Sequence, residues 1–194
     1  MLVRARLVWA RLAIIVLALC CAGSYVASAS VLCTLSFGLA GCDDYKPSGQ
    51  PSFYQSMATA DAKVDAKAAA SMISGYRRNN GLSMVSLDDS LMRMAEEQAR
   101  AMASKNKFEH DAAGPFAQRI KRSGFDAKVA VENIGAGYHT LAEAFSGWRD
   151  SPPHRANMLH SGVTKMGIAA VYSPNSKYKV FWALILAAPD DKRG

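Results

Sequence analysis

Cysteine is missing from most of this chain. Its four cysteines, Cys20, Cys21, Cys33 and Cys42, all fall in the first 42 of 194 residues. The remainder can close no disulfide of its own, build no thiolate metal site and offer no Cys nucleophile. Acidic residues are missing from the opposite end: none precedes Asp43. There, Arg4, Arg6 and Arg11 stand around and ahead of an apolar run from Leu12 to Ala22. A basic start followed by an apolar run of that length is the pattern of an export signal. The second, mostly apolar run, 31–40, is too short to span a bilayer alone. No internal repeat is present, and the basic residues between Lys105 and Lys128 are interleaved with acids. The formal charge is +7; without the three leader arginines, 20 basic residues face 16 acidic ones, a balance of +4. That is an ordinary surface and argues against a nucleic-acid partner. Ser151 lies three residues before His154 but in no nucleophile elbow, so a Ser-His-Asp triad is unsupported.

What is present divides the chain. Leu39-Ala-Gly-Cys42 has the form of a lipobox, in which cleavage exposes Cys42 for lipidation. Residues 1–41 are then a lipoprotein-type signal, and 42–57 a Pro-containing tether. Residues 58–190 are one domain, large enough for a real core, and 191–194 a tail. This predicts a domain lipid-anchored in the cell envelope, on the periplasmic side. Ala27-Ser-Ala29 is a competing, ordinary cleavage site, which would leave the protein secreted.

Within the domain, the Ala-rich stretch 58–79 predicts a helix ending at Asn79-Asn80-Gly81. Asp88 caps a second, whose stripe is Leu91, Met94, Ala95, Gln98, Ala99 and Met102. A shorter helix follows over 115–122, then a strand over 128–134. Thr140 and Glu143 form a capping box for a helix with Leu141, Ala144, Phe145 and Trp148 on its buried face. Pro152 and Pro153 stop it, placing His154 at a sharp turn. Two strands close the chain, 166–172 and 178–186. The last is apolar on both faces along Phe181–Leu186, so it must be covered on both sides. The expected fold is α+β: a three-layer α-β-α sandwich with a small, mostly antiparallel sheet.

His110, Glu132 and His154 each stand where the chain enters or leaves regular structure, and they are the candidate cleft. Two neutral imidazoles, His110 and His154, can bind a divalent cation such as zinc. Glu132 would then serve as third ligand or as base to a bound water. The competing expectation is a hydrogen-bonded cluster that takes a lipid, peptide, glycan or protein ligand. Asn133 and Asn157 are expected to tie loops, with Ser151 in support.

Tyr76-Arg-Arg-Asn-Asn-Gly-Leu82, Leu87-Asp88, Phe108-Glu-His110, Glu132-Asn-Ile134, Trp148-x-x-Ser-Pro-x-His-Arg-x-Asn157-Met-Leu159 and Met166-Gly167 occur in that order. This set resembles the bacterial branch of the CAP superfamily, the SCP-like extracellular domain, over roughly 66–188. The resemblance implies an α-β-α sandwich and a pocket of two histidines and acidic residues. By motif the histidines fall at His110 and His154, and one acid at Glu132. The family's second Glu has no clear counterpart; Asp150 is the nearest acid.

Overall fold

The computed structural model describes residues 49–190. The export signal, Ala27-Ser-Ala29, Cys42, the first part of the tether (42–48) and the 191–194 tail lie outside the described residues. The chain runs α1 (Ala66–Asn79), β1 (Ser86–Leu87), α2 (Asp89–Lys105), α3 (Phe116–Ser123) and β2 (Ala127–Ala136). It continues through α4 (Leu141–Asp150), α5 (Pro152–Met158), β3 (Lys165–Tyr172) and β4 (Val180–Pro189). Among the described residues one sheet forms, in the order β1-β3-β4-β2. β1 pairs parallel with β3, and the other pairings are antiparallel.

β4 organises the layers. Because strand side chains alternate, Val180, Trp182, Leu184 and Leu186 face one way. There they join Ala69 and Ile73 of α1, Leu141, Ala144 and Trp148 of α4, and Met158 of α5 in a buried cluster. Ala183, Ile185 and Ala187 face the other way, against Leu91, Met94, Ala95 and Ala99 of α2, with Phe116 and Ile120 of α3 beside them. The strand apolar on both faces is thus the centre of the three-layer α-β-α sandwich that the sequence predicts.

Local signals set the helix ends. Asp88 accepts from the Ser90 and Leu91 N–H groups at 2.9 and 3.1 Å. Thr140 and Glu143 form the full capping box. α2 lies so close to β3 that a Cβ on Gly167 would stand 2.1 Å from the Leu91 carbonyl carbon. Arg77, buried near the end of α1, donates to the Ser83, Met158, His160 and Val163 carbonyls. It ties α1 to the segment linking α5 and β3. Burial lowers its pKa from the ordinary value, yet a guanidinium stays charged and needs those acceptors.

Four expectations are corrected. The first helix begins at Ala66 and not at residue 58, because Asp65 caps it, accepting from Ala68 N–H at 2.9 Å. Residues 52–57, read as tether, include a 3-10 turn, and Met57 is buried, its N–H donating to the His139 carbonyl at 2.6 Å. The last strand begins at Val180, two residues late, because Lys179 takes a left-handed backbone (φ 66°) that breaks the extended run. Pro152 and Pro153 do end α4, but they also open α5, since proline fits the first turn of a helix, where an N–H would be orphaned anyway. His154 therefore sits in the first turn of a helix, not in a bare turn.

Candidate functional site

The site is built along β2, the edge strand. Alternation sends neighbouring residues to opposite faces. Glu132 pairs in register with Ile185, on the α2/α3 side; Asn133 pairs with Leu184, on the side of α1, α4 and α5. An edge strand also leaves every second carbonyl without a ladder partner. Here Asn157 of α5 donates to the Glu132 carbonyl at 3.1 Å, and the Trp148 indole of α4 to the Ile134 carbonyl at 2.9 Å. The α4–α5 corner thereby closes the edge with side chains. The Trp148-to-Asn157 stretch and the Glu132-Asn-Ile134 stretch are one structural unit.

Glu132 is almost fully covered. Its Oε2 accepts from Arg119 Nη2 at 2.8 Å, and the guanidinium side chain is 0% exposed. Its Oε1 lies 2.9 Å from His110 Nδ1. The His110 side chain is 57% exposed, so the ring lies at the mouth of the site with one edge on the carboxylate. Its loop is pinned from below. Gln98, buried in the α2 stripe, donates to the Glu109 carbonyl at 2.8 Å and accepts from the Ala113 N–H at 3.2 Å. A glutamine in an apolar stripe is thereby explained.

His154 is held by its backbone: Asn133 Nδ2 donates to its carbonyl at 2.9 Å, and Asn157 donates to Asn133 Oδ1 at 2.9 Å. Its ring is half-buried. Burial, and secondly the neighbouring His110, push its pKa below the usual histidine value, so it is neutral at pH 7. Ser151 is the joint between α4 and α5: its N–H donates to the Gly147 carbonyl and its carbonyl accepts from Arg155 N–H. Asp150 is turned away, paired with Arg149 at 2.9 Å on the surface. His139 is exposed and His160 half-buried. His160 lies beyond α5, where its carbonyl accepts from Arg77.

The donor set decides what the site can hold. Among the described residues, no group of three or more His, Cys, Asp or Glu side chains is arranged to hold a metal ion. Both Glu132 oxygens are engaged, one of them by a buried cation, so Glu132 is a poor third ligand. What remains is two imidazoles, short of the three protein ligands of a hydrolytic zinc site. As arranged, the described residues therefore complete no three-ligand metal site.

Arg119 is the site residue that sequence reading missed. A further Nη2 bond reaches the His110 carbonyl at 2.9 Å, Nε donates to the Gly114 carbonyl at 3.0 Å, and the centre of the Phe116 ring lies 5.2 Å from the guanidinium carbon. The signal that could have found it is an arginine sharing the apolar face of α3 with Phe116 and Ile120.

Residues 70–186 match the family described as the cysteine-rich secretory protein family, CAP. The chain is 31% identical over 130 residues to the uncharacterized protein YkwD of Bacillus subtilis strain 168, a match covering 60% of this chain and 50% of that protein. The chain thus spans about half the length of this curated relative. Two solved structures are similar in fold. One is an extracellular protein containing an SCP domain from Bacillus anthracis strain Ames. It has a TM-score of 0.55 and 23% identity, covering 63% of this chain and 39% of that one. The other is an outer surface protein from Borrelia burgdorferi. It has a TM-score of 0.58 and 20% identity, covering 66% of this chain and 98% of that one.

Proposed function

Because this chain belongs to the CAP superfamily, in its bacterial, SCP-like branch, we propose that it is a binding module of the cell envelope. In this reading, it is exported, anchored through lipid on Cys42, and takes a lipid, peptide, glycan or partner protein at the His110–Glu132–His154 cleft. The extracellular and outer-surface proteins that share its fold fit an exported chain. No described helix is long and apolar enough to cross a membrane.

The observation that carries the binding reading is the engagement of Glu132. A carboxylate held on one side by Arg119 and on the other by His110 is placed to orient a ring. It is poorly placed to activate water. One feature favours a second reading, a divalent-metal-assisted hydrolase: metal-bound histidines commonly donate their other N–H to a carboxylate, as His110 is placed to do.

Zinc titration into the purified chain, followed by calorimetry, separates the two. The binding module predicts no zinc site tighter than about 1 μM, that is, less than about 8 kcal/mol of binding free energy. A tight one-to-one site that disappears in His154→Ala would support the hydrolase instead.

A further inference from the structure

We propose that Arg119 is the positioning residue of the cleft: through Glu132 it holds the His110 ring so that Nδ1 carries a proton, which in the neutral imidazole leaves Nε2 as an acceptor for ligands that bring a hydroxyl or N–H donor. This rests on reading the cleft as a ligand site.

Burial sets the first constraint. A guanidinium cannot lose its proton, and this one, 0% exposed, carries its charge out of reach of water. The Glu132 carboxyl lies against that charge at 2.8 Å, and a cation so close favours its ionised form. An ionised carboxylate only accepts hydrogen bonds. The 2.9 Å contact between its Oε1 and His110 Nδ1 thus needs the proton on Nδ1. In a neutral imidazole this leaves the lone pair on Nε2, at the ring edge away from Glu132, and the ring is more than half exposed.

Arg119 fixes both ends of His110 at once. Its Nη2 donates to the His110 carbonyl and, through Glu132, sets the ring. Its own place is set by the Gly114 carbonyl and the Phe116 ring. A ligand with only acceptors would meet a lone pair, whereas a hydroxyl or amide N–H would meet its complement.

The test is the tautomer itself, read from two-bond proton–nitrogen correlations of the histidine-labelled full chain at about pH 8, above the ordinary histidine range. The expected spectrum shows His110 protonated at Nδ1 and bare at Nε2. Glu132→Gln keeps the size of the side chain and removes its charge. Arg119 then holds the amide oxygen, the amide NH2 faces His110 Nδ1, and the tautomer should invert to Nε2–H. An Nε2–H tautomer in the unaltered protein would overturn the proposal. An uninverted Glu132→Gln ring would overturn the part given to Arg119, because a free amide simply rotates. Sodium sulfate, which only accepts, should leave the His110 and His154 signals in place; saturable movement of His110 Nε2 would contradict the donor-bearing ligand. The tautomer is read without ligand, so failure to find any ligand would sink the binding reading and leave this result standing.

Discussion

Gly167→Ala is expected to cost about 3–5 kcal/mol, enough to unfold much of the population of a marginal domain. The added Cβ would lie 2.1 Å from the Leu91 carbonyl carbon, 2.2 Å from its oxygen and 2.4 Å from the Met92 nitrogen. All three are backbone atoms, so no rotamer change relieves the clash. α2 would have to lift off β3, unpacking Leu91, Met94, Ala95 and Ala99 from the sheet. Gly75 in α1 is the control. A Cβ there meets nothing within 4 Å, so Gly75→Ala should be neutral or stabilise by up to about 1 kcal/mol. Urea midpoints measure both. A Gly167→Ala domain within about 1 kcal/mol of the original would mean that the α2–β3 approach is looser than described.

Arg119→Met should cost about as much for an electrostatic reason. It leaves Glu132 ionised, 3% exposed, and bonded only by His110 on its side-chain oxygens. Breaking a buried pair by removing one partner typically costs about 3–5 kcal/mol, because the surviving charge is uncompensated. Replacing both, Arg119→Met with Glu132→Leu, removes the charge altogether and should recover much of the loss. Chemical denaturation of the single and double variants checks this. A double variant no more stable than Arg119→Met would show that packing, and not the buried charge, dominates.

The parts of the fold legible in the sequence were those set by local chemistry. The Asp88 cap, the Thr140–Glu143 box and the α2 stripe each depend on residues within a turn or two of one another. The double-faced apolar run of β4 specified the layers, because only cover on both sides makes such a strand stable. Legibility failed where one residue serves two elements or where the partner is far along the chain. Pro152 and Pro153 end one helix and begin the next, and the stop is the stronger signal. β1 is two residues long, with too little pattern to see. Arg119 shares a helix face with Phe116 and Ile120, but its neighbours Gln118, Lys121 and Arg122 mask that signal. Only the alternation of β2, which aims Glu132 at α3 and Asn133 at α5, turns it into a buried counter-ion. For the same reason the proximity of His110 and Glu132 follows from type and motif, while the engagement of both carboxylate oxygens does not.

The central claim is that the cleft is a place where a ligand is held. The most direct measurement is native mass spectrometry of the full chain purified gently from the cell envelope, beside its His110→Ala and His154→Ala variants. The expected result is a bound mass on the unaltered protein that both variants lose while keeping their thermal midpoints. The same bound mass retained in all three proteins would place the ligand elsewhere and contradict the claim.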